Sequence, residues 1–173
     1  PKGVGILYAR RGCVPPVYID GGEQECGHRA GTENVAGIVS AAAAFSEAML
    51  EREAKAARLA SMRDRLQAEL LKIPGSQVNG GSVSRLPGTL NMSFEGIDGQ
   101  SLIFALDLKG VAASSGSAYA SGSVSPSHVL LALGLPYSLA HGSLRLSLGK
   151  YNTEDEIDEI IQAVTDVVRE LRM

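Results

Sequence analysis

From Asn34 to Lys72 the chain offers nothing that breaks a helix: no proline, a single glycine at Gly37, and a dense supply of Ala, Leu, Glu and Arg. No other feature constrains the fold as strongly. Val35, Ile38, Val39, Ala42 and Phe45 make one apolar face, Leu59, Met62, Leu66 and Leu70 make another, and the polar run Glu51–Arg58 separates them. The spacing predicts one long helix. Because the average helix has about 11–12 residues, a helix of this length is expected to bridge two packed bodies rather than sit in one. That puts a boundary near residues 50–58, with residues 1–52 on one side and 53–173 on the other.

Before this helix, Val4–Ala9 reads as a buried strand and Val17–Ile19 as a second short one, followed by a polar, glycine-rich loop over residues 21–34. After the turn Ile73–Ser76 the pattern becomes α/β. Leu90–Phe94 alternates as a strand, Ser101–Leu108 reads as a helix closed by Gly110, and Val111–Ala113 as a strand. Ser125 and Pro126 read as the N-cap and first residue of a helix ending at Gly134. Ser143–Leu148 alternates again. Thr153–Glu156 is a capping box, and Ile157, Ile160, Ile161, Val164, Val168 and Leu171 fall on one stripe of the helix it starts. Short helices alternating with short strands over residues 74–173 predict a compact α/β unit of one sheet with helices on it.

Composition narrows the function classes. The net charge is −3 over 173 residues, and the basic residues are dispersed among acids, which argues against a nucleic-acid partner. No apolar run spans a membrane and no signal peptide opens the chain, so a cytoplasmic protein is expected. The two cysteines, Cys13 and Cys26, lack zinc-site spacing, and no metal is expected, although Cys26 and His28 could in principle share one. The chain opens PKGVGILYA, without methionine and directly on a strand-like segment, so it reads as a fragment.

Three places could carry chemistry. The run SSGSAYASGS, Ser114 to Ser123, sets small residues around Tyr119 and reads as an active-site loop or as a flexible connector. Arg145 shares a strand face with Ser143 and Ser147, opposite Leu144, Leu146 and Leu148. It is either a solvated outer-face residue, the usual case, or a fork for a carboxylate. The loop Gly27–Asn34 runs into the N-terminus of the long helix, where an anion would be favoured and Thr32 adds a hydroxyl; equally, Thr32 or Asn34 caps the helix. His28, His128 and His141 are scattered and support no triad.

Taken together and in order, GGEQECGHRAGTEN, LNMSFEGIDGQSLIFALD, SSGSAYASGS, SPSHVLLALGL and SLRLSLGKYNTEDEID resemble the cysteine desulfurases of the NifS/IscS type. The resemblance covers essentially the whole chain but only the C-terminal half or less of a full-length member. It implies the C-terminal part of a type I pyridoxal-phosphate transferase fold: the edge of the large cofactor domain over 1–52, a long bridging helix, and a small α/β domain over 53–173. It implies a homodimer acting on L-cysteine or a related amino acid, in sulfur mobilisation for iron–sulfur cluster assembly, with a possible sulfur-acceptor or scaffold protein as partner.

Residue by residue, the resemblance implies that Thr32 reaches the cofactor phosphate across the dimer, that Arg145 holds the substrate carboxylate, and that Asn91 lies near the site. The cofactor lysine falls before Pro1, so pyridoxal phosphate is expected in the full-length protein and none on this chain alone, which is expected to be inactive. Tyr119 stands at the position of the family's sulfur-carrying cysteine. A phenol, with a pKa near 10 and no soft sulfur, cannot form a persulfide. The alternative is a non-catalytic dimerisation or binding module that keeps the fold.

Overall fold

A computed structural model describes residues 2–81, 84–115 and 125–173. The chain divides into two compact units, Pro1–Arg52 and Glu53–Met173. The elements in chain order are α1 (Val35–Leu50), α2 (Arg52–Leu70), β1 (Ser76–Val78), β2 (Thr89–Phe94), α3 (Gly99–Leu108), α4 (His128–Ala132), α5 (Tyr137–His141), β3 (Ser143–Ser147) and α6 (Glu154–Leu171).

In the first unit the two expected strands do not form. Residues 4–9 are irregular, with Ile6, Leu7 and Tyr8 exposed, and Val17–Ile19 is reduced to one parallel bridge between Ile19 and Arg29. Apolar residues suit a strand, but a strand exists only where another backbone pairs with it. No described segment pairs with residues 4–9. The bridge is held by the Ala30 N–H on the Ile19 carbonyl at 3.0 Å and the Tyr18 N–H on the His28 carbonyl at 2.8 Å. A 3-10 turn over Gln24–Gly27 follows the same loop, with Glu25 and Cys26 at positive φ.

The long helix is interrupted. Glu51, with φ −107° and ψ 5°, caps α1, and α2 starts one residue later. Sequence propensity has no breaker here, but the residues from 51 to 58 bury no side chain that would hold one continuous register. On α2, by contrast, Met62, Leu66 and Leu70 are all fully buried.

The second unit is a three-stranded antiparallel sheet, order β1-β2-β3, with α2, α3 and α6 packed on one face. Register follows alternation: Leu90 faces Leu146 and Met92 faces Leu144, and with Phe94 these fill the core together with Leu102, Leu106, Ile157, Val164 and Val167. Both strands therefore place their polar residues, Thr89, Asn91, Ser93, Ser143, Arg145 and Ser147, on the opposite face. The turn from α5 into β3 needs glycine: a Cβ on Gly142 would lie 2.5 Å from the Phe94 carbonyl oxygen and 2.7 Å from that of Ile97.

The capping box of α6 forms in both directions: the Thr153 hydroxyl accepts from the Glu156 N–H at 3.3 Å and the Glu156 carboxylate from the Thr153 N–H at 3.0 Å. The stripe packs through Ile157, Val164 and Val168, whereas Leu171 is exposed in the last turn. Two other elements depart from expectation. Val111–Ala113 forms no strand; only Ser114 bridges to β3. Helix α4 starts at His128, after Ser127, rather than at Pro126, and neither Ser125 nor Pro126 lies within it. The missed elements, β1, α5 and the 3-10 turn, are five residues or fewer, too short for a periodic signal.

Asp98 caps α3, accepting from the Ser101 N–H and hydroxyl at 2.8 Å each, with His141 Nδ1 3.3 Å from its other oxygen. Burial pushes its carboxyl up, but the Ser101 hydrogen bonds, the His141 charge and the Gln100 N–H together outweigh this and hold it below the usual carboxylate range. A carboxyl with a lowered folded pKa contributes stability above its unfolded value, about pH 4, which is lost as pH falls through the folded value. Asp98→Asn is expected to flatten the acid limb of stability below about pH 4, read from urea melts across pH. Superimposable acid limbs would contradict this.

Candidate functional site

The polar face of the second unit brings together two of the predicted residues. Asn91 on β2 and Arg145 on β3 are direct partners across the antiparallel ladder, so their side chains leave the same face of the sheet. Arg145 is half-buried, and Leu144 and Leu146 on either side of it are buried in the core, which fixes the direction of the strand at that point.

The row extends on both sides. Beyond Arg145, Ser114 forms an antiparallel bridge: its N–H donates to the Arg145 carbonyl at 3.2 Å and its carbonyl accepts from the Arg145 N–H at 2.5 Å. The Ser143 hydroxyl donates to the Ser115 carbonyl at 3.2 Å. The root of the SSGSAYASGS run is thus tied to β3 beside Arg145. Tyr119 itself lies outside the described residues.

Beyond Asn91 lies Asn79, whose N–H donates to the Asn91 carbonyl at 2.9 Å. Its side-chain nitrogen donates to Asn91 Oδ1 at 2.6 Å and to Ser93 Oγ at 2.9 Å, and its Oδ1 accepts from Gln77 Nε2 at 3.3 Å. Asn79, Asn91, Arg145 and Ser114 form one row across the sheet. Sequence reasoning passed over Asn79 and the pairing role of Ser114. Asn79 follows a three-residue strand and precedes Gly80 and Gly81, so it reads as a turn residue.

Thr32 lies in the first unit, exposed, just before α1. Asn34 caps that helix, its side chain accepting from the Gly37 N–H at 3.1 Å. The Arg29 guanidinium donates to the carbonyls of Gly31 and Thr32 at 3.3 and 3.5 Å, and Gln24 Oε1 accepts from the Gly31 N–H at 3.2 Å. These bonds use backbone groups of the loop and leave the Thr32 hydroxyl at the surface. Cys13 and Cys26 are free thiols, both exposed. Among the described residues no group of three or more His, Cys, Asp and Glu is placed to hold a metal, and no helix is long and apolar enough to cross a membrane. A cavity of about 610 Å³ beside α6, lined by Ile73, Ile161, Val168 and Met173, includes none of the predicted site residues.

The chain is 47% identical over 173 residues to a cysteine desulfurase of Nostoc sp., covering 99% of this chain and 43% of that protein. It is 46% identical over 173 residues to the cysteine desulfurase NifS of Azotobacter vinelandii, with the same coverages. The chain therefore spans about 43% of the length of these curated relatives. Among solved structures, a NifS-like protein superposes with a TM-score of 0.79 at 34% identity, covering 94% of this chain and 41% of the other. The NifS-like protein from Rickettsia africae superposes with a TM-score of 0.78 at 28% identity, covering 89% and 40%. Residues 1–160 match the aminotransferase class-V family. With that match and these relatives, the chain belongs to the aminotransferase class-V family and is similar over its whole length to cysteine desulfurases of the NifS and IscS type.

Proposed function

We propose that this chain supplies the carboxylate-binding edge, and one phosphate-binding hydroxyl, of a pyridoxal-phosphate enzyme that acts on L-cysteine or a related amino acid. The observation that carries this is the pairing of Arg145 with Asn91 on one rung of a sheet face whose other side is a fully packed core. A guanidinium presents two parallel N–H donors to a carboxylate, and a strand pinned from behind fixes the face from which that fork leaves. Bound this way, the substrate would have its carboxylate held in one place.

Thr32 suits a phosphate oxygen: its hydroxyl is a donor at the surface of a loop whose backbone groups are already engaged. Pyridoxal phosphate, when bound, supplies the electron sink that lets a bond at the amino-acid α- or β-carbon break. Residues 1–52 form the edge of the cofactor domain and residues 53–173 the small domain. Exposed Ile6, Leu7, Val35, Val39 and Phe45 on the first unit support a homodimer, because apolar surface of this extent favours a covering partner.

With Tyr119 at the family's cysteine position, sulfur leaves without a protein-bound persulfide. The balanced reaction is an elimination: cysteine and water give pyruvate, ammonia and sulfide. Service to iron–sulfur cluster assembly would then run through free sulfide. Tyr119 also favours a second reading, a dimerisation or binding module without turnover. Product analysis on the full-length protein with pyridoxal phosphate and L-cysteine separates the two: sulfide and pyruvate in equal amounts are expected. Absence of any product would support the second reading, and alanine in place of pyruvate would contradict the elimination.

A further inference from the structure

We infer that Asn79 is a positioning residue for the amino-acid site, fixing which end of the Asn91 amide is offered beside Arg145; the inference rests on the reading of Arg145 and Asn91 as carboxylate donors. Asn79 is 6% exposed and sits one strand away from Arg145, so it acts only through Asn91. Its two side-chain N–H groups are both spent, one on Asn91 Oδ1 at 2.6 Å and one on Ser93 Oγ at 2.9 Å. Its carbonyl oxygen takes the Gln77 amide at 3.3 Å. Ser93 is itself fully buried, so two of the four members of this network are shielded from solvent.

An asparagine amide is a donor at one end and an acceptor at the other. With Asn79 held as it is by Ser93 and Gln77, turning the Asn91 amide over by itself would set its nitrogen against the Asn79 nitrogen and lose a buried hydrogen bond. Asn91 therefore keeps its oxygen on Asn79, and its N–H groups are the end offered to the rest of the face. A carboxylate only accepts. In the orientation Asn79 enforces, Asn91 adds a donor to the Arg145 fork; reversed, it would present a carbonyl that repels the same ligand. One buried amide just past the end of β1 thus sets the polarity of the site.

The test changes that polarity at constant shape. Asn79→Asp cannot donate to Asn91 Oδ1, so the Asn91 amide turns to donate to the introduced carboxylate. In the full-length protein with pyridoxal phosphate, KM for L-cysteine should rise about tenfold with kcat nearly unchanged. Cysteamine, the same thiol without a carboxylate, should bind as before. Asn79→Ser, which keeps a single donor, should fall between, and serves as the readout should the aspartate fail to fold. A purely structural role would impair both ligands alike, and that outcome overturns the inference. Independently of turnover, the Asn91 side-chain amide signals in the NMR spectrum, assigned by their loss in Asn91→Asp, should shift in Asn79→Asp; unmoved signals overturn the inference. Arg145→Ala in the same assay distinguishes the levels. If it raises KM for cysteine while both Asn79 variants leave it unchanged, the inference fails and the carboxylate site stands; if Arg145→Ala also changes nothing, the site reading fails first.

Discussion

Replacing Arg145 with alanine in the full-length protein is expected to raise KM for the amino-acid substrate by about a hundredfold, with a much smaller change in kcat. A charge-assisted hydrogen bond is worth about 1.5–3 kcal/mol, and each 1.4 kcal/mol is tenfold in affinity, so loss of a two-pronged fork reaches that range even after water fills the space. The split between KM and kcat follows from what the fork does. It grips a carboxylate that is the same in the bound substrate and in the transition state, so its removal weakens both equally. Arg145→Lys should lie in between, because an ammonium restores the charge but not the planar pair of donors. The fold should be little affected, since the Leu144 and Leu146 side chains that pin β3 are untouched. An unchanged KM in Arg145→Ala would remove Arg145 from the site.

The second large effect is on stability. Phe94→Ala should destabilise the second unit by about 3–5 kcal/mol, out of a total that for a domain is about 5–15 kcal/mol. Phe94 is 0% exposed, at the end of β2, in the cluster formed with α2, α3 and α6. Its backbone is also fixed, the N–H donating to the Gly142 carbonyl at 2.9 Å, so the surroundings cannot simply collapse into the space the ring leaves. Phe104 is the internal control. It lies on α3 but is 69% exposed, and Phe104→Ala should cost no more than about 0.5 kcal/mol. Urea unfolding followed by far-UV circular dichroism reads both. Equal losses for the two phenylalanines would mean that the core has been placed on the wrong face of the sheet.

What could be read in advance followed a physical rule. The helix α6 announced itself because its start and its packing are both local: Thr153 and Glu156 are three residues apart, and the stripe repeats along one element. Strands β2 and β3 were legible for the same reason, through alternation. Their register was not. That Asn91 stands opposite Arg145 depends on two segments more than fifty positions apart meeting in one particular alignment, and nothing within either strand specifies it.

The errors have a common cause. Residues 4–9 carry strand-forming side chains, but pairing is a property of two segments, and no described segment lies alongside. The interruption at Glu51 occurs in residues with good helix propensity, because propensity is a weak local term and burial decides whether a register continues. Asn79 was missed because its local sequence, Asn-Gly-Gly, is that of a turn, while its role comes from three hydrogen bonds to residues 77, 91 and 93. The family motifs pointed to Thr32, Asn91 and Arg145 individually. Which of them stand together was supplied by the sheet.

Recognition of an amino-acid carboxylate by Arg145, with Asn91 beside it, is open to a direct test. The most direct measurement compares L-cysteine with cysteamine as ligands for the full-length, pyridoxal-phosphate-loaded protein, before and after Arg145→Ala. The unaltered protein is expected to bind L-cysteine far more tightly than cysteamine, and Arg145→Ala to abolish most of that preference while leaving cysteamine binding unchanged. A preference for L-cysteine that survives Arg145→Ala intact would contradict carboxylate recognition by Arg145.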